Sequence, residues 1–97
     1  MIYVITGSYT QAKDWISKDV AIRKSLGQDF SMSEYCYVQD ASSLVGVRNP
    51  RGVFTGTWKK RADIVDILTK LIVSMDATHP SLKVIQEMWF EVNTQEY

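Results

Sequence analysis

Residues 1–12 read MIYVITGSYTQA, and the reading of this stretch decides the fold. Ile2, Tyr3, Val4 and Ile5 run without polar alternation into Thr6-Gly7-Ser8, and a helical pattern begins directly afterwards. An unbroken apolar run fits a strand covered on both faces, and the glycine fits a tight turn. The helix that follows then aims its unpaired amides back at the strand end. Such junctions are where open α/β sheets hold ligands.

Working outward, Ser8 or Thr10 is placed to cap the helix, and Tyr9, Ala12, Trp15, Ile16, Val20, Ile22 and Leu26 fall on one broad face. Asp19 and Arg23 interrupt that face, so a joint near Lys18-Asp19 between two shorter helices is the alternative. Gly27 is a natural C-terminal cap. Residues 34–39, EYCYVQ, are rich in strand formers and predict a second strand, after which Asp40 caps a single helical turn over 41–44. Residues 46–52, GVRNPRG, carry turn chemistry, and residues 53–58, VFTGTW, predict a third strand. Gly56 inside it marks a bulge or a close backbone approach.

From 62 to 75, Ile64, Val65, Ile67, Leu68, Leu71, Ile72 and Met75 keep helical spacing. Pro80 then opens a last helix with Leu82, Ile85, Met88, Trp89 and Val92 on its apolar face and a fraying polar tail over 93–97. The expectation is a single α/β domain over 1–97, a small three-stranded, mainly parallel sheet in the order 2-1-3 covered by three to four helices. The link from strand 2 to strand 3 is near the minimum for a parallel crossover, which leaves an antiparallel third strand as the alternative.

Composition narrows the function. A chain of 97 residues with 45% hydrophobic and 23% charged residues folds as one domain rather than staying disordered. Eleven basic residues against eleven acidic ones lower the expectation of nucleic-acid binding, which draws on a basic excess. Cys36 is alone, with neither a disulfide partner nor a zinc set. Met1 runs straight into the expected first strand without a basic n-region or a cleavage site, so export is not expected, and the run 64–75 is interrupted by Asp66, Thr69, Lys70 and Ser74. A cytoplasmic, reduced protein without a membrane span is therefore expected.

In the parallel arrangement, the strand C-termini bring Thr6, Gly7, Ser8 and Tyr9 together with Asp40 and with Thr57, Trp58 and Lys59. These are the candidate ligand-binding residues, suited to a phosphate-bearing small molecule at a helix N-terminus. Neither GxxxxGK[ST] nor GxGxxG occurs, and a short strand-to-helix loop needs a glycine and a capping serine in any case. Lys59-Lys60-Arg61 is the densest basic cluster and reads either as a phosphate contact or as solvated loop residues. Arg48 and Arg51 precede strand 3 and belong at the opposite end of the sheet. His79, the single histidine, reads as a capping or solvated residue. With no paired carboxylates, no nucleophile elbow and no ligand set, the sequence predicts no catalytic residue, no metal and no cofactor, and an enzyme is the less favoured reading. The aromatics point elsewhere. Met88, Trp89 and Phe90 are consecutive on one helix and cannot all face one core, so Trp89 on the apolar face turns Phe90 outward. An aromatic set of this kind marks either an interface patch or a helix buried on both sides.

The runs Val4-Ile5-Thr6-Gly7-Ser8-Tyr9, with Ala12 and Trp15, Leu44-Val45-Gly46-Val47-Arg48-Asn49-Pro50 and Gly56-Thr57-Trp58 resemble a group of small uncharacterised bacteriophage-encoded proteins with a VITGxY opening and a later GTW segment. The resemblance covers residues 2 to 68, and the longer 18–33 segment departs from the group's compact spacing. It implies a phage accessory protein working in the host cytoplasm by binding a host factor. The expected function is thus a small non-enzymatic binding module that contacts a protein partner or itself. The alternative is a nucleotide- or phosphate-binding domain using the strand-end crevice.

Overall fold

The computed structural model describes residues 1–93. Its three strands, β1 (Ile2–Ile5), β2 (Tyr35–Tyr37) and β3 (Arg51–Phe54), form one all-parallel sheet in the order β2-β1-β3. Three helices, α1 (Tyr9–Ser25), α2 (Ile64–Val73) and α3 (Leu82–Asn93), complete the α/β architecture. The third strand is parallel despite its short link, because a 3₁₀ turn over Ala41–Leu44 carries the chain across with Leu44 fully buried against the core. Of the tail expected to fray over 93–97, Asn93 is instead the last residue of α3, and 94–97 lie outside the described residues.

β1 is central, and all four of its residues are buried. Alternation splits them between two cores. Tyr3 and Ile5 join Val38, Leu44, Ile64, Ile67, Leu68, Leu71, Met75 and Ile85 beneath α2 and α3, while Ile2 and Val4 join Ala12 and Tyr35 beneath α1. Burying each such side chain contributes about 1.5–3 kcal/mol, so the absence of alternation in the sequence is what two covered faces require.

α1 is one unbroken helix, not two. Asp19 and Arg23 do not break it because they are its anchor to the sheet: the Tyr35 hydroxyl donates to Asp19, and Arg23 pairs with Asp19 at 3.2 Å and with Glu34 at 2.9 Å. Burial and this bond to a carboxylate push the Tyr35 hydroxyl's pKa up. The apolar face expected of α1 is correspondingly incomplete, since Tyr9, Ile22 and Leu26 are exposed.

β3 lies earlier than the expected 53–58. Its register against β1 starts at Arg51, and the strand stops at Phe54 because Gly56 takes φ 65°, a left-handed turn rather than a bulge. α3 begins at Leu82, two residues beyond Pro80. His79 serves the turn before it, its carbonyl accepting from Leu82 N at 3.1 Å and its Nδ1 from Ser81 N at 3.1 Å.

Candidate functional site

At the C-terminal end of the sheet, the chain's own side chains occupy the groups that a ligand would need. Ser8 caps α1, its hydroxyl accepting from Gln11 N at 3.3 Å. Gln11 turns back over the turn, and its Oε1 accepts from Gly7 N at 3.0 Å and from Thr57 N at 3.1 Å, while its Nε2 donates to Thr57 Oγ1 at 3.1 Å. The carboxamide oxygen therefore sits where an anion would collect the amides of the glycine turn. Gly7 is required for this approach, since a Cβ there would lie 1.9 Å from Thr57 Oγ1. Gly56 meets the same carboxamide from the other side, its built Cβ 2.4 Å from Gln11 Oε1.

Between β1 and β2 the end of the sheet is closed by Arg61. Its side chain is 8% exposed and donates from Nη1 to the carbonyls of Val38 at 2.7 Å and Thr6 at 3.2 Å, and from Nη2 to that of Gln39 at 2.7 Å. The remaining donors pair with Asp63 at 2.9 and 3.0 Å, so Asp63 precedes α2 without capping it by its side chain. A guanidinium has five donors and no acceptor, which suits it to gather the unpaired carbonyls where parallel strands end. Thr6, fully buried, donates its hydroxyl to Ser8 O at 2.5 Å.

The other predicted ligand residues disperse. Tyr9 packs against Tyr37 with its ring tilted and the centroids 5.4 Å apart, and Lys13 lies over the Tyr9 ring. Asp40 caps the 3₁₀ turn, and the Ser42 hydroxyl and amide hold its carboxyl below the usual carboxylate range. Trp58 packs edge-on against Phe54 at 5.0 Å and against the α2–α3 core. Lys59 reaches α3 and pairs with Glu91 at 2.7 Å. Arg48 and Arg51 lie at the opposite end, as expected, with Arg48 bound to Asp76 at 2.8 Å. Among the described residues no group of three or more His, Cys, Asp or Glu is arranged to hold a metal ion, and no helix is long and apolar enough to cross a membrane.

The second predicted set converges better. Phe90 is 63% exposed and Trp89 half-buried, their rings edge-on at 5.8 Å, and both line an open groove of about 740 Å³ between α2 and α3. Thr69 and Ile72 supply the α2 wall, and Lys83, Gln86 and Glu87 the α3 rim. The Trp89 indole N–H donates to Thr69 Oγ1 at 3.0 Å, and Thr69 in turn donates to Val65 O at 2.8 Å. With its polar edge satisfied inside the protein, the indole offers apolar ring to the groove. Met88 is the exception in this set, since it packs inward against the core. The α3 rim was legible as positions 83, 86, 87 and 90, which share one helical face. The contribution of α2 had no such signal, because Thr69 reads as an ordinary solvent-facing residue.

No protein family, curated protein or solved structure matches this chain.

Proposed function

We propose that this chain is a small non-enzymatic binding module whose α2–α3 groove receives an amphipathic helix from a protein partner. The observation that carries this reading is Phe90, a large aromatic 63% exposed at the mouth of an apolar groove that Trp89 and Ile72 continue inward. The same two helices also carry exposed valines, Val73 on α2 and Val84 on α3, 70% and 52% exposed. Two packed helices leave a furrow into which a third lays apolar side chains at i, i+3, i+4 and i+7, and Lys83 and Glu87 on the rim suit the polar flanks of such a helix. Read with the resemblance to phage-encoded proteins, the partner is a host factor and the chain a phage accessory protein.

The alternative reading, a phosphate- or nucleotide-binding domain, is disfavoured by the same geometry. Gly7 and Thr57 amides already share the Gln11 carboxamide, and Lys59 is paired with Glu91. The test is quantitative binding with purified components. A bacterial protein captured by the wild-type chain binds Phe90→Asp at least 30-fold more weakly, since a central aromatic anchor is worth about 2 kcal/mol or more. Nucleotides and inorganic phosphate leave the melting temperature unchanged. Equal affinity of the two chains, or stabilisation by a nucleotide near the roughly 2.7 kcal/mol expected at 100 times Kd, overturns the reading.

A further inference from the structure

A parallel sheet of three strands has two edges, and here they are unlike. At β2 the strand is three residues long and the Tyr35 amide is already spent on Met32 O. At β3 the edge is open. Thr55 N donates to Ile5 O, and with the β1–β3 register this turns the backbone of Arg51, Val53 and Thr55 toward β1. The amides and carbonyls of Gly52 and Phe54 therefore point outward, and among the described residues nothing accepts from or donates to them.

We propose that a second copy of this chain docks there, β3 pairing antiparallel with its partner's β3 about a two-fold axis at Val53 to give a continuous six-stranded sheet. Self-complementarity is what selects a second copy. In this register Gly52 faces the partner's Phe54 and Phe54 the partner's Gly52, so all four outward groups on each chain meet their counterparts in two doubly bonded pairs. Val53 faces Val53, and Arg51 faces Thr55, so no like charges are opposed. The register also accounts for Gly52. Its φ is not positive, and a Cβ would meet Phe54 at 3.5 Å and Ile5 at 3.7 Å, ordinary contact, so the monomer does not demand glycine in mid-strand. A glycine in mid-strand leaves the edge free of a side chain where another backbone has to approach. Pro50 and Arg51, residues that can blunt an edge, stand just before the Gly52–Phe54 ladder and leave it open.

Sedimentation velocity from about 10 µM to 1 mM measures the association, together with amide exchange of Gly52 and Phe54. The expected result is a monomer–dimer equilibrium in which those two amides gain protection as concentration rises. Val53→Lys and Val53→Glu each weaken it about tenfold or more by opposing like charges at the axis, and mixing the two variants restores dimer. Thr55→Glu, which keeps the core intact, tightens the dimer several-fold by facing Arg51 twice. A monomer throughout, a dimer whose Gly52 and Phe54 amides stay unprotected, or a dimer indifferent to Thr55→Glu overturns the proposal. Phe90→Asp leaves the dimer unchanged, so its outcome is separable from that of the helix-binding groove.

Discussion

Replacing Arg61 by alanine tests whether the sheet's C-terminal end is held shut from within. The wild-type guanidinium, 8% exposed, serves the part-buried carbonyls of Thr6 and Val38, the exposed carbonyl of Gln39 and the Asp63 carboxylate. A hydrogen bond from a charged donor contributes about 1.5–3 kcal/mol, and leaving its part-buried acceptor without a partner costs a similar amount. The Gln39 carbonyl and the Asp63 carboxylate, 34% exposed, recover water, so their share is small. Two part-buried carbonyls at the low end, with partial rehydration through the space the side chain leaves, put the loss at about 3 kcal/mol. For a domain of this size that lowers Tm by roughly 12–20 °C. Urea unfolding followed by circular dichroism measures it directly. Arg61→Lys, a single ammonium in place of a planar fork, should recover less than half. A loss below about 1 kcal/mol for Arg61→Ala would mean that the carbonyls are solvated and the crevice is open, and the reasoning would fail.

Three further expectations follow from neighbouring contacts. Gly7→Ala drives a Cβ into Thr57 Oγ1 and must displace the Gln11 clasp, destabilising the fold by about 2 kcal/mol in urea unfolding, whereas Gln11→Ala, whose partners can take water, costs about 1 kcal/mol. The hydroxyl of Tyr35 titrates above its unfolded value, so its stabilisation is complete below about pH 10 and is lost as pH rises through the folded pKa. Unfolding measured from pH 8 to 11.5 should show the wild-type advantage over Tyr35→Phe shrinking at the alkaline end, and an advantage constant to pH 11.5 would contradict the Asp19 bond. Asp76, held below the usual carboxylate range by Asn49 and Arg48, gives the opposite limb. Its contribution is present above the ordinary carboxylate pKa and lost on acidification, and Asp76→Asn should flatten that part of the acid profile.

The elements that lie on apolar periodicity are legible in the sequence itself. β1, the Ser8 cap, the Asp40-capped turn and α2 follow from spacing and from residues whose preferences are local. What escaped the sequence was polar chemistry acting over long range. Asp19 and Arg23 look like flaws in a helical face until Tyr35, 16 residues beyond Asp19, supplies the hydroxyl they hold. Arg61 sits in a basic triplet that reads as solvated loop, yet two of the three side chains are held by ion pairs. Lys59 pairs with Glu91, and Arg61 is drawn inside by carbonyls that become available only once β1 and β2 lie side by side. The start of β3 was misplaced for a related reason: pairing with β1, not strand propensity, fixes Arg51 as its first residue. For the candidate site, the outward turn of Phe90 could be read from helical geometry, while the wall that α2 contributes could not.

We propose that recognition lies in the α2–α3 groove and not at the closed strand ends. Its most direct measurement is the Kd of one purified partner for three chains: wild type, Phe90→Asp and Gln11→Ala. Weakening of at least 30-fold confined to Phe90→Asp is the predicted result. Loss of binding with Gln11→Ala and none with Phe90→Asp would contradict it and return the site to the glycine turn.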